Sequence, residues 1–391
     1  MKRIALAIEN FSRFAGGAES YAVSLAGALI DHSWEVHVFA QKWDGEPRGV
    51  IFHPVPVPAF LPRFLKLLLF ALRHRRAVER EPFDVVLGFG NTIAMNVYQS
   101  HGGVHWLSTD RKLYTCNSPA LRSLKRFFAR ISPKHQARHW IESAPFRQRT
   151  QPKLIAISHM IQNDLASYFH VDRGEIEVVY NGVDLQPSTG SSREGGRKML
   201  RMQFGIPESH VVFLFVSFDL RKKGIEQLVD AAGLLRKSGK TNFSVIVVGG
   251  RPYRSLRRRI DRRGVGDAIH FPGPTKQIGE YYAGSDVFVL PTFYDACSLV
   301  VLEAMAWGLP AITTEYNGAS GVIESGVNGF VISHPPRPEE LASRMAALLE
   351  EDERRRMGGC ATLSMKGYSL RSNHERMLRI FDDVANRKRS A

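Results

Sequence analysis

The run Leu290-Pro291-Thr292-Phe293-Tyr294-Asp295-Ala296-Cys297-Ser298-Leu299, continuing to Glu303 and Gly308-Leu309-Pro310, concentrates the most chemistry in this chain. It reads as a strand ending at Pro291, a turn carrying Asp295, and a helix that opens near Ser298 and stops before Gly308. The first N–H groups of a helix have no intrahelical partner and favour an anion such as a diphosphate. Glu303 stands about a turn and a half into that helix. There a carboxylate can accept hydrogen bonds from ribose hydroxyls. The bland alternative is an ordinary strand–helix unit with a capping aspartate. A second cluster, Arg221-Lys222-Lys223, follows a strand directly, which suits phosphate better than a solvated surface run does. Gly16-Gly17 lies between an apolar strand and a helical stretch, so it can be a simple turn or a place where backbone approaches a ligand. His101, in Gln99-Ser100-His101-Gly102-Gly103, can be a bonded structural histidine or a functional one.

Some patterns lead nowhere. Ser238-Gly239-Lys240-Thr241 ends like a P-loop, but it follows a helix, and Gly233 lies one residue too far upstream. No G-x-G-x-x-G follows the first strand, which argues against a dinucleotide oxidoreductase. His, Asp, Glu and Cys show no metal-ligand spacing, so no metal and no cofactor is expected. The three cysteines are odd in number and widely spaced, which fits a reducing compartment.

These residues need elements to hold them. Residues 3–8, 35–40, 84–88 and 153–157 read as buried strands, with a helix running to Leu29. The pattern restarts with 211–216, 243–248, 268–271, 287–290 and 311–313, separated by helical stretches at 224–236, 276–284 and 299–307. Strands alternating with helices predict parallel sheets with crossover helices. With 391 residues, two domains are expected. The polar, Gly/Ser-rich stretch 187–197 suits a linker. The expected division is an N-terminal domain 1–186, the linker 187–197, a C-terminal domain 198–369, and a closing segment 370–391 that packs back toward the N-terminal domain.

The ordered motifs resemble the retaining glycosyltransferases of family 4 (glycosyl transferases group 1). Asp295 and Glu303 are similar to their E-x7-E motif, with Asp for the first Glu. Ile157-Ser158 with Asp164-Leu165, Asn181-Gly182-Val183-Asp184, Lys223-Gly224, Val248-Gly249-Gly250, Phe271-Pro272-Gly273 and Asn328-Gly329-Phe330 agree in order and spacing, over roughly residues 1–385. The resemblance implies the α/β GT-B fold, with two Rossmann-like parallel-sheet domains facing across a cleft. It implies that Glu303 holds ribose, that Asp295 orients the hexose, and that backbone N–H groups of Ala296, Cys297, Ser298 and Leu299 meet sugar and diphosphate. Lys223, with Arg221 or Lys222, would neutralise the diphosphate. Gly249 and the loop Gly273-Pro274-Thr275 would border the nucleotide. Gly16 and Gly17 would admit the phosphates, and His101 would face the sugar. One departure is Phe218, which stands where the family's usual Arg precedes the Lys.

Within the family, Phe14-Ala15-Gly16-Gly17, Gln41-Lys42-Trp43-Asp44-Gly45 and 137–146 resemble the branch that adds the first glucose to the inner-core heptose of lipopolysaccharide. That implies UDP-glucose as donor and a lipid-linked or phosphorylated glycan as acceptor. Another glycan and another donor, or a sugar-nucleotide epimerase, are the alternatives. The net charge of +15 predicts anionic partners. No nucleic-acid signature accompanies it, so nucleic acid is not expected. The longest notable apolar run, Leu67 to Leu72, is far short of the about 20 residues that span a bilayer. Residues 62–80 and 111–141, the latter with eight Lys/Arg and no Asp/Glu, instead suit peripheral attachment to an anionic membrane, at the cytoplasmic face of the inner membrane. Phe64, Leu65, Leu68, Leu69 and Leu72 are the expected apolar face of the first stretch.

Overall fold

A computed structural model of the chain describes residues 1–12, 16–45, 47–116, 118–185 and 193–390. Phe14 and Ala15 of the first loop, and 187–192 of the expected linker, lie outside the described residues. The chain forms two compact units, Met1–Gly182 with Arg371–Ala391, and Val183–Leu370.

The first unit is built on a seven-stranded sheet of β1 (Lys2–Ala7), β2 (Trp34–Ala40), β3 (Val50–Pro54), β4 (Val85–Gly88), β5 (Val97–Ser100), β6 (Lys153–Ala156) and β7 (Ile176–Val178), in the order β3-β2-β1-β4-β5-β6-β7. All neighbours pair in parallel. Parallel strands are covered on both faces, which is why Ile4 to Ala7 of β1 and Val85 to Leu87 of β4 read as apolar runs, while Glu35 and His37 interrupt β2. Helices α1 (Gly17–Asp31), α2 (Arg63–Val78), α3 (His105–Leu113), α4 (Pro119–Ile131), α5 (Pro133–Glu142) and α6 (His159–Phe169) follow in chain order. Tyr21, Leu25 and Leu29 of α1 pack into one core with Ile4, Leu6, Val36, Val38 and Leu87.

The second unit carries β8 (Val211–Ser217), β9 (Phe243–Gly249), β10 (Ile269–Gly273), β11 (Val287–Leu290), β12 (Ala311–Thr314) and β13 (Gly329–Ile332), all parallel, in the order β10-β9-β8-β11-β12-β13. Helices α7 (Arg193–Phe204), α8 (Ile225–Lys237), α9 (Arg254–Arg263), α10 (Ile278–Gly284), α11 (Leu299–Ala306), α12 (Pro338–Ala347) and α13 (Glu351–Met365) accompany it. The final helix, α14 (Leu370–Ser390), belongs from Arg371 onward to the first unit. There its Met377, Ile380, Phe381 and Ala385 complete the core around β1 and α1. Ion pairs fix both ends of the contact, Lys2 to Asp382 at 2.6 Å and Arg389 to Asp84 at 2.7 Å.

In the second sheet the strand order reverses between β8 and β11. Such a switch point opens a crevice at the carboxyl ends of the strands. Lys223 follows β8 and Asp295 follows β11, so the two loops flank that crevice.

Two expectations need correction. Residues 193–197 are the first turn of α7, not linker. A Cβ on Gly196 would lie 2.7 Å from the Ala283 side chain, so this glycine serves close packing of α7 on α10 rather than flexibility. The apolar stripe of α2 that matters is Leu67, Phe70, Ala71, His74 and Val78, all buried. It is rotated away from the expected face, of which only Leu65 and Leu72 are exposed. Leu67 and Ala71 pack against Ile141, so α2 is a core helix.

Candidate functional site

Gly224 sets the geometry of the site. It adopts φ +81°, and a Cβ there would lie 2.0 Å from the carbonyl oxygen of Pro291. Only glycine admits both the left-handed backbone and that approach. The loop after β8 therefore presses on the loop after β11. The N–H of Phe293 donates to the Lys222 carbonyl at 3.0 Å, and the Thr292 hydroxyl donates to the same oxygen at 3.3 Å. This contact joins Lys223 to Asp295, whose carboxylate accepts from the Lys223 ammonium and from the Ser298 hydroxyl. Lys223 and Asp295 keep only 22% and 23% of their side-chain surface, so solvent screens the pair weakly. Burial pushes the Asp295 carboxyl up, but the Lys223 ammonium, aided by Ser298 and the Cys297 N–H, outweighs it and holds the group below the usual carboxylate range.

The loop after β12 braces this arrangement. Asp295 N–H donates to the Tyr316 carbonyl at 2.9 Å, and Gly318 N–H to the Asp295 carbonyl at 2.8 Å. The buried Asn317 accepts from the N–H groups of Ser298 (3.2 Å) and Ala319 (3.1 Å). Its amide donates to Thr313 at 2.9 Å. Asn317 is not among the residues the sequence singles out; the Asn-Gly turn shortly after the predicted strand 311–313 is the available signal. Ala296 and Cys297 are buried, and Ser298 is the residue before the first turn of α11. Glu303 lies on α11 and accepts from the Tyr282 hydroxyl at 2.8 Å. Burial raises its carboxyl above the ordinary range, and the Tyr282 bond offsets this in part.

Other expected donor contacts are placed differently. Lys222 pairs with Asp219, and Arg221 lies 3.5 Å from Glu226 and stacks on Tyr253 at 4.7 Å. Lys223 alone of the three cations reaches Asp295. Gly249, at φ +108°, has its Cβ direction closed by the Ser217 carbonyl at 2.5 Å, which seats the loop after β9 on the end of β8. Pro274 and Thr275 follow β10, and Thr275 caps the turn by accepting from Gln277 N–H at 3.0 Å.

In the first unit, Gly16 has an ordinary extended backbone (φ 172°), and a Cβ would meet only the movable Glu19 carboxylate at 2.6 Å. Gly17 opens α1. His101 is half-buried beside Tyr21 and Phe89, with ring centroids 5.0 and 5.1 Å away. Its Nε2 has no hydrogen-bond partner among the described residues. Burial pushes its pKa down to about 3, so the imidazole is neutral near pH 7.

In the same unit, Glu142 is buried and accepts twice from the His105 N–H, at 2.8 and 3.0 Å, at the start of α3. Burial raises its pKa to about 7, against the lowering effect of that bond. A raised folded pKa means stability that is complete below the ordinary Glu range and declines as pH rises toward 7. Glu142→Gln keeps the acceptor without the charge. The thermal midpoint of Glu142→Gln should exceed that of the wild type at pH 8 and match it near pH 4. The gap at pH 8 corresponds to on the order of 3 kcal/mol for a shift of this size; equal midpoints at pH 8 would count against it.

Among the described residues, no group of three or more His, Cys, Asp or Glu is placed to hold a metal.

Comparison with known proteins supplies the family. Residues 15–187 match the family model "Glycosyltransferase Family 4", and residues 197–361 match "Glycosyl transferases group 1". The chain belongs to glycosyltransferase family 4. The lipopolysaccharide glucosyltransferase WaaG of Escherichia coli K12 is 24% identical over 327 residues, covering 83% of this chain and 84% of that protein. A D-inositol 3-phosphate glycosyltransferase of Arthrobacter is 27% identical over 374 residues, 90% of this chain and 87% of that protein. The crystal structure of WaaG superposes with a TM-score of 0.78 at 22% identity, covering 97% of this chain and 99% of that one. The fold of this transferase is thus GT-B, with two Rossmann-like parallel-sheet domains.

Proposed function

We propose that this glycosyltransferase moves a hexose, glucose from UDP-glucose, to a lipopolysaccharide core or related cell-surface glycan, with retention of anomeric configuration and without a metal. The observation that carries the reading is the Lys223–Asp295–Ser298 cluster at the switch point of the second sheet, with Glu303 further along α11. Lys223 and the opening N–H groups of α11 stabilise the leaving diphosphate, as a cation would. Glu303 takes the ribose, and Asp295 takes hexose hydroxyls. The likeness to WaaG, named as a lipopolysaccharide glucosyltransferase, supports donor and acceptor.

The test is transfer from radiolabelled UDP-glucose to lipopolysaccharide core acceptors, with EDTA present, followed by NMR of the product. The α-anomer at undiminished rate is expected. A β-linkage overturns retention, loss of rate in EDTA overturns metal independence, and transfer only from another sugar nucleotide overturns the donor.

The same reading places the enzyme on a membrane surface through α4. This helix buries none of its residues, while Leu124, Phe127, Phe128 and Ile131 are each more than half exposed. Arg122, Lys125, Arg126 and Arg130 flank them, and the helix has no acidic residue. Exposed apolar side chains rimmed by cations fit an anionic lipid surface. Each Lys or Arg near such a surface adds about 1 kcal/mol. Among the described residues, no helix is long and apolar enough to cross a membrane. Vesicles containing phosphatidylglycerol should co-sediment the enzyme, less so in high salt. Phe127→Ser with Phe128→Ser and Lys125→Glu should abolish this, while changing the buried α2 stripe has no place in it. Equal binding to phosphatidylcholine vesicles would remove the electrostatic account.

A further inference from the structure

Helix α9 has two electrostatic faces. Arg259 and Arg263 turn to Asp230 (Arg263 at 2.7 Å), and Arg259 also reaches Glu226 at 3.2 Å. Arg254 and Arg258, four residues apart and so on one face, are exposed, and their side chains form no ion pair or hydrogen bond among the described residues. Arg251, in the loop after β9, is likewise exposed and unpaired. All three line one surface cavity of about 940 Å³, together with Phe218 and Arg221. Phe218 follows β8 directly and is 79% exposed, an unusual place for a phenyl ring. The backbone explains the meeting. Gly250 N–H donates to the Ser217 carbonyl at 2.8 Å, and a Cβ on Gly250 would lie 2.7 Å from the Phe218 carbonyl. The loop after β9 therefore lies against the loop after β8, with Arg251 next to Phe218.

The one carboxylate lining the cavity, Asp219, is held by Lys222. Arg221 is occupied by Glu226 and Tyr253. Three guanidinium groups remain uncompensated in one concavity at the carboxyl end of the sheet, where like charges repel unless an anion joins them. Guanidinium forks match phosphate oxygens in pairs, and an exposed aromatic wall suits the flat or apolar part of an organic phosphate.

We propose that Arg251, Arg254 and Arg258, with Phe218 as wall, form a binding site for a phosphate-bearing ligand, separate from the Lys223–Asp295 centre. The phosphate belongs either to the nucleotide-sugar donor, reaching across the 218–223 loop, or to a second molecule. Only the donor arm of the test rests on the function proposed above.

The probe is inorganic pyrophosphate, titrated calorimetrically into the full chain carrying Lys223→Ala, which removes the other phosphate contact. Binding is expected, and it should weaken more than roughly tenfold when Arg251→Ala, Arg254→Ala and Arg258→Ala are added. Arg257→Ala with Arg262→Ala removes similar charge from the same helix outside this cavity and should leave affinity within about twofold. Phenylglyoxal footprinting of the unaltered chain needs no variant. Pyrophosphate should protect Arg251, Arg254 and Arg258 but not Arg257 or Arg262. No pyrophosphate binding, equal loss in the two sets of variants, or protection without that contrast overturns the site. A rise in donor KM in the triple variant with Lys223 intact assigns the site to the donor; an unchanged donor KM beside lost pyrophosphate binding assigns it to a second phosphate.

Discussion

Lys223→Ala should reduce transfer by a factor of about 100 to 1,000 while the chain stays folded. The ammonium is the one cation of its cluster that reaches Asp295, and in the function proposed above it meets the leaving diphosphate together with the opening turn of α11. Removing one preorganised electrostatic partner from a leaving group costs roughly 2.7–4 kcal/mol of transition-state stabilisation. A second cost follows from the same bond. Without Lys223, burial raises the Asp295 carboxyl, since the ammonium is what holds it down. The variant should therefore gain a pH dependence of kcat in the acid range that the wild type lacks there. Lys223→Arg restores charge but not the compact reach, and should recover only part of the rate. Measured kcat and KM over pH 5–8 decide this; a variant within about threefold of wild type would remove Lys223 from the reaction centre.

Glu303→Ala should cost most in donor affinity. Its carboxylate is enclosed, raised by burial, and tied to the phenol of Tyr282 at 2.8 Å. Loss of a charge-assisted bond to ribose is worth about 1.5–3 kcal/mol, or roughly tenfold to a hundredfold in KM for the nucleotide sugar. Glu303→Gln keeps an acceptor oxygen and should lie between. Tyr282→Phe frees the carboxylate from its partner and should raise donor KM only a few-fold, because it disturbs orientation rather than the contact itself. Steady-state kinetics with the donor varied will show whether the loss is in KM; a change confined to kcat, with KM untouched, contradicts the ribose role.

The central strands were legible because parallel strands covered on both faces are nearly continuous in apolar residues, as in Val211 to Val216 and Val245 to Val248. The edge strand β3, with Pro54 at its end, two of its five residues exposed and none buried, carries no such signature, and the three-residue β7 is too short to leave one. The restart of the pattern in the second half was visible, but the start of α7 was not, since Gly195-Gly196 reads as flexible until the tight contact with Ala283 is seen. In the site, Asp295, Ser298 and Glu303 were found from their position on one strand–turn–helix unit. Lys223 was singled out by its Lys-Gly motif, but that Arg221 and Lys222 turn elsewhere was not legible, because the path of this loop depends on Gly224 lying against Pro291, far away in sequence. Tyr282 escaped notice for a similar reason: its partner Glu303 stands across a strand from it, and nothing local to either residue announces the bond.

The place of α14 bears on the order in which the molecule can be made. Residues 183–370 are contiguous, so this half can collapse as soon as it emerges from the ribosome. The half made first is left with Trp34 and its neighbours uncovered until Met377 and Phe381 are synthesised and settle on them, Phe381 meeting Trp34 edge to ring at 6.3 Å. During translation the earlier half thus waits, with apolar surface open to chaperones, for the last helix of the chain.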